Sequence, residues 1–175
     1  MSATIDHRSN VIPEVVIGAQ TWMSQNYDFA GDPPDGDYAN VTVYGKLYTW
    51  TEAIAIGSSV DGWHLPSPTE WGTLITYLGG SSVAGGHLKE TGTTHWDSPN
   101  TGADNSSGFT AVPSGQRDDD EGYAYVLFGA SAIWWTNNDA GAGAATYYYA
   151  TSASAATGSG SILKDNKFAV RLIKD

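Results

Sequence analysis

The sequence predicts an α+β domain, with two helices early and short antiparallel strands threaded by long loops. Three observations lead there. Apolar residues fall at helical spacing in two windows of the first half, 44–56 and 65–80. Short β-branched and aromatic runs recur after residue 109. Glycine is abundant, at 21 of 175 residues, which favours turns and loops over long helices. A chain of this length can bury one sizeable core, and no linker run divides it. The expected organisation is a flexible tail over 1–10 and a single domain over 11–175.

The elements follow in order. Val11-Ile12-Pro13-Glu14-Val15-Val16-Ile17 is rich in β-branched residues, and Gly18-Ala19 turns it toward a second strand at Gln20-Thr21-Trp22-Met23. Residues 30–37, "AGDPPDGD", read as loop, because Pro33-Pro34 and two glycines disfavour regular structure. The first helix is expected over 44–56, with Leu47, Trp50 or Thr51, and Ile54 on one face and Gly57 as its stop. The second starts at Ser67, an N-cap followed by Pro68 and completed as a capping box by Glu70. Trp71, Leu74, Ile75 and Leu78 make its apolar face, and Gly79-Gly80 ends it. Trp63 and Leu65 join that face in the expected core, with His64 structural. Residues 91–108 read as loop. Strands are expected at 109–112, 123–128, 132–135, 145–151 and 167–173.

Composition excludes several functions. The formal net charge is −11 with only eight Lys plus Arg, so neither nucleic acid nor an anionic membrane is an expected partner. The absence of Cys removes disulfides, zinc-thiolate sites and thiol catalysis together. No apolar run approaches the roughly 20 residues of a membrane helix, and residues 1–10 lack the apolar centre of a signal peptide.

Catalytic and metal patterns are weak. His7, His64, His87 and His95 show none of the short spacings that zinc sites favour. Ser67 and Ser114 sit outside any Gly-x-Ser-x-Gly elbow. Asp118-Asp119-Asp120-Glu121 offers oxygen ligands to a hard cation such as calcium, but matches no EF-hand, and a solvated turn explains it. Asp97, Asp104 and Asn105 form a second, looser oxygen cluster. Glu52 and Glu70 could be read as paired carboxylates, although capping and surface roles account for them more cheaply. No cofactor is expected, calcium being the one alternative.

Aromatic residues carry the stronger signal. In a strand, the side chains of Trp134 and Trp135 must point to opposite faces, as must those of consecutive Tyr147, Tyr148 and Tyr149. Either loops cover both faces, or an outward ring anchors a ligand. These residues border or lie within 137–161, "NNDAGAGAATYYYATSASAATGSGS", which contains no Lys, Arg, Glu, Leu, Ile or Val.

Several stretches together resemble the Fibrobacter succinogenes major paralogous domain. They are "IGAQTWMSQN" (17–26), "YGKLYTW" (44–50), "GWHLPSPTEWGTLITYLGG" (62–80), "VAGGHLKETGTTHWDSPNTGADNSSGFTAVPSGQR" (83–117), "WW" (134–135) and "DNKFAVRLIKD" (165–175). The resemblance implies a C-type lectin-like fold, in which N- and C-terminal strands pair and long loops present a binding surface. The Leu-Pro-x-x-x-Glu-Trp start at Leu65–Trp71 is similar to that of formylglycine-generating enzymes, whose cysteines this chain lacks. The Glu-Pro-Asn and Trp-Asn-Asp calcium motifs of sugar-binding C-type lectins are missing, with Ser98-Pro99-Asn100 and Trp135-Thr136-Asn137 as loose echoes. Some family members resemble target proteins of diversity-generating retroelements, whose mutated codons give Asn, Asp, Ser, Gly, Ala, Thr and Tyr, the residues that fill 137–161.

The resulting expectation is a non-enzymatic, adhesin-like module on a phage virion or bacterial surface, binding a cell-surface protein or glycan and leaving oligomerisation open. Its candidate ligand-binding residues are Asp119, Tyr123, Tyr125, Ser131, Trp135, Asn137, Asn138, Asp139, Thr146, Tyr148, Ala150 and Ser152. The alternatives are an enzyme related to formylglycine-generating or glycan-active proteins, and a structural virion decoration protein.

Overall fold

A computed structural model of the chain describes residues 13–29, 41–118 and 124–175. The 1–10 tail, the 30–37 loop and His7 lie outside those residues. So do Asp119, Asp120, Glu121 and Tyr123.

The N-terminal segment folds as a hairpin. Strand β1 (Glu14–Ile17) pairs antiparallel with β2 (Gln20–Met23). The C-terminal strand β11 (Ile173–Lys174) then pairs with β2 on one side and with β4 (Trp63–His64) on the other. Strand order is β1-β2-β11-β4, so the chain ends meet through β2, and β1 itself occupies the sheet edge. An ion pair of 2.8 Å between Lys174 Nζ and Glu14 Oε2 spans the two terminal strands.

A five-stranded sheet carries the rest of the framework. It is built from β3 (Leu47–Tyr48), β7 (Ser131–Gly141), β8 (Ala144–Thr151), β9 (Thr157–Leu163) and β10 (Phe168–Ala169), in the order β3-β10-β7-β8-β9. The segment expected as one strand over 167–173 therefore divides, its start joining the large sheet and its end the small one. A separate hairpin pairs β5 (Gln116–Asp118) with β6 (Ala124–Val126). The 109–112 segment forms no strand; Ala111 makes a single bridge to Lys89.

Four helices lie among the described residues: α1 (Val41–Tyr44), α2 (Trp50–Ser59), α3 (Pro68–Tyr77) and α4 (Ala84–Leu88). Helix α3 is as the sequence predicts: Ser67 and Glu70 form both halves of the capping box, and Pro68 opens the first turn. The helix expected over 44–56 is corrected. Gly45 turns the chain at φ +75, Leu47 and Tyr48 become a strand, and α2 starts after its own capping box, Thr49 with Glu52. Gly57 does not stop the helix; it lies inside α2, pressed so close to Leu65 that a Cβ would stand 2.7 Å from its backbone nitrogen. Helix α4 has no counterpart in the sequence-based reading.

β7 separates two cores. Residues 131–136 are buried on both faces. Trp134 packs with Trp22, Trp71 and Phe109 on one side. Trp135 packs with Phe168, its ring centroid 4.4 Å away, on the other. Each indole N–H is satisfied: Trp134 donates to Asn26 Oδ1 and Trp135 to the Tyr48 carbonyl. Trp63, Leu65, Trp71, Leu74 and Leu78 are all buried, as expected.

Candidate functional site

The structure divides the candidate ligand-binding residues into three groups. Ser131, Trp135, Ala150 and Ser152 are buried, and this corrects their assignment as ligand contacts. Ser131 and Trp135 lie in the doubly covered part of β7, and Ala150 faces the Trp71 core. The Ser152 backbone is tied to Ala130 and Thr101. Tyr125 is half-buried with the Arg117 guanidinium over its ring. Asn137, Asn138 and Asp139 are exposed, while Thr146 and Tyr148 are half-buried.

The surface members come together on β8 and β9. Antiparallel register sets Thr146 opposite Ser161 and Tyr148 opposite Ser159, and directly opposed side chains share one face. Asn138 Nδ2 donates to Thr146 Oγ1 at 2.9 Å, so the amide joins the same array. Tyr148 roots it: the ring stacks on Trp71 with centroids 5.1 Å apart and planes 12° from parallel. Burial raises the Tyr148 pKa, partly offset by a hydrogen bond from Ser159. The phenol therefore stays neutral, part anchor and part surface.

Ser159 and Ser161 were missed from sequence. The signal was the period-two pattern of "TGSGS", residues 157–161, which sends serines to one face and glycines to the other. On the glycine face, Tyr149 covers Gly158 and Tyr147 covers Gly160; a Cβ at either glycine would stand 2.6 or 2.7 Å from ring or hydroxyl atoms. The triple tyrosine thus divides its work. Two rings lie across glycines toward the Trp135 core, and Tyr148 faces the hydroxyl array.

The adjoining hairpin tip is held from below. Lys164 Nζ pairs with Asp139 Oδ2 at 2.7 Å and lies 4.2 Å from the Trp50 ring centroid. Lys164 also holds the Asp139 carboxyl below its usual pKa. Trp50 Nε1 donates to the Thr136 carbonyl, and Asn137 N to that of Pro66.

Other candidate chemistry disperses. Among the described residues, no three His, Asp or Glu side chains gather as a metal-binding group. Asp104 accepts from Ser106 N and faces His87, whereas Asn105 bonds Thr110 and Asp97 borders Gly129. Glu52 and Glu70 are consumed as helix caps.

His64 acts as a clamp. Its Nε2 lies 2.7 Å from Glu70 and its Nδ1 2.6 Å from Asp175, joining the α3 cap to the chain end. Partial burial alone would lower its pKa, but the two carboxylates outweigh it and the net shift is upward. Burial likewise opposes ionisation of Glu70, yet Ser67 and His64 hold its pKa below 4.5. A raised histidine pKa stabilises the fold below 6.5, a contribution lost as pH rises through the folded value. The depressed Glu70 pKa stabilises above 4.5 and is lost as pH falls. The thermal midpoint should therefore decline as pH rises from 6.5 through the folded His64 value, and His64→Gln should flatten that decline. An unaltered slope in the variant would remove the clamp from the account.

The comparison with curated proteins gives no match, and that with solved structures gives none. The family model of the Fibrobacter succinogenes major domain matches residues 15–174. That match runs from the first strand through the last, and the chain belongs to the Fibrobacter succinogenes major domain family.

Proposed function

We propose that this chain is a non-enzymatic binding module of C-type lectin-like architecture, recognising a protein on a cell surface. The contact face consists of Asn138, Thr146, Tyr148, Ser159 and Ser161, extended by the exposed tip around Asn137 and Asp139. One observation carries the reading: these hydrogen-bonding side chains share one sheet face, which Tyr148 roots on the Trp71 core. Tyr148 supplies rigid amphipathic area, and small hydroxyl and amide groups supply adaptable hydrogen bonds. Antibody combining sites divide the work the same way. The net charge of −11 favours a basic partner and hastens its encounter.

The meeting of terminal strands through β2, β11 and β4 supports the lectin-like reading. A surface of Asn, Thr, Tyr and Ser on a buried aromatic scaffold suits a diversified receptor-binding protein of a phage virion or bacterial surface. The thiol chemistry of formylglycine-generating enzymes finds no side chain here, since the sequence has no Cys.

The test is a displayed library with Asn138, Thr146, Ser159 and Ser161 randomised, selected against hen lysozyme as a basic model protein. Surface substitutions usually shift stability by about 0.5 kcal/mol or less each. Most members should therefore fold, and selection should yield binders that fail when Tyr148 is changed to Ala. A folded library without binders, or binders indifferent to Tyr148, would refute the assignment.

A further inference from the structure

At the far end of α3 from Tyr148 lies a second concavity with a different chemistry. It has a volume of about 430 Å³ and is lined by β1, the end of α3, α4 and the 106–107 loop. Its size suits a small ligand. One wall is apolar and open: Val16 is 68 % and Tyr77 66 % exposed, the highest values for large hydrophobic side chains among the described residues. Isolated exposed apolar residues need no explanation, but two flanking one cavity do.

The Tyr77 ring lies against Gly18. A Cβ on Gly18 would meet Cδ2, Cγ and Cε2 of the ring at 2.8, 3.0 and 3.1 Å. Such nearly equal distances set Gly18 over the ring face, not its edge. One face is therefore seated on backbone while the residue stays largely in solvent.

The opposite wall is polar. His87 Nδ1 lies 2.9 Å from Asp104 Oδ2 and 3.0 Å from Ser106 Oγ. The Ser106 amide and His87 hold the Asp104 carboxyl down to a pKa of about 2, so it remains an acceptor. With Nδ1 engaged by that carboxylate, Nε2 is left to hydrogen-bond a ligand. Ser106 contributes a hydroxyl that can donate or accept.

We propose that this cavity binds a neutral pyranose, its C–H face laid on Tyr77 and its hydroxyls bonded to His87 and Ser106. Two other chemistries leave something unmatched. An anion would meet the Asp104 carboxylate and a strongly acidic chain. A wholly apolar ligand would desolvate His87 and Ser106 without replacing their hydrogen bonds. A sugar presents an apolar face and both donors and acceptors. The site is independent of the β8–β9 face.

Saturation-transfer NMR of the full chain tests this, using methyl pyranosides of glucose, galactose, mannose and N-acetylglucosamine, each with and without EDTA. At least one should receive transfer at its ring C–H protons. Tyr77→Ala should weaken that sugar by about ten-fold or more, as losing an aromatic anchor does. Tyr77→Phe should retain binding within about two-fold, because stacking needs the ring and not the hydroxyl. His87→Ala should weaken it several-fold, and decides the matter if Tyr77→Ala proves unstable. No transfer from any pyranoside overturns the proposal. So does binding that EDTA abolishes, or that survives both alanine variants.

Discussion

Arg171→Ala is expected to cost the domain about 3–5 kcal/mol, since it strips the donors from buried oxygens and opens a cavity. Arg171 is wholly buried. Its Nε and Nη2 donate to Asn26 Oδ1 at 3.1 and 3.0 Å, and its Nη1 to the carbonyls of Met23 at 2.9 Å and Phe109 at 2.6 Å. All these acceptors are neutral oxygens, and the guanidinium lies 4.1 Å from the Phe109 ring centroid. Burial pushes its pKa down to about 9, still high enough to keep the charge at neutral pH. The side chain thus joins the N-terminal hairpin, the Phe109 loop and the C-terminal segment. Truncation would leave buried carbonyls without donors, at about 1–3 kcal/mol each. Urea unfolding at an unchanged m-value checks this. Arg171→Met, which restores volume but no donors, should also lose stability. A midpoint equal to that of the wild type in both variants would remove Arg171 from the framework.

Trp71→Ala is expected to lose a similar 3–5 kcal/mol or so, as large buried truncations do. The ring is wholly buried. It meets Trp22, Trp134 and Phe109 at centroid distances of 5.0, 5.5 and 5.9 Å, besides stacking under Tyr148. Removing it opens a cavity between α3 and the large sheet. For a chain this long, the thermal midpoint should fall by about 10 °C. An unchanged midpoint would contradict the packing described. Because Tyr148 rests on this ring, Trp71→Ala should also weaken ligands selected on the β8–β9 face.

What could be read from sequence was what local chemistry decides. Ser67, Pro68 and Glu70 specify the start of α3 by themselves, and its apolar face follows from spacing alone. Leu47 misled because a single leucine in helical phase cannot reveal that Gly45 turns the chain and that Leu47 pairs in a strand. The Thr49–Glu52 box was legible and marks the true start of α2. Strand β9 was hidden because Gly-Ser-Gly-Ser has poor intrinsic strand preference; Tyr147 and Tyr149 supply the missing side-chain area from across the strand. Lys89 shows what composition cannot disclose. It is fully buried, its ammonium donating to the carbonyls of Thr101, Thr151 and Ser154 at 2.8–2.9 Å.

The candidate site was legible to the same degree. Thr146 and Tyr148 alternate along β8, whereas Asn138 reaches them from β7, so their common face follows from strand pairing and not from spacing in the sequence. Ser131, Trp135 and Ala150 are buried because the sheet is covered, and Ser152 because the turn after β8 is tied to Ala130 and Thr101; both are tertiary facts. Sequence can show that Trp134 and Trp135 diverge, but not that a second core waits on the other side.

If the hydroxyl face of β8 and β9 binds as we propose, its side chains are surplus to the fold. The thermal midpoint of the combined Asn138→Ala, Thr146→Ala, Ser159→Ala and Ser161→Ala variant tests it most directly. The expected midpoint lies within a few degrees of the wild type, because four surface changes sum to about 2 kcal/mol at most. A fall as large as that of Trp71→Ala would show these side chains to be scaffold, and would contradict the claim.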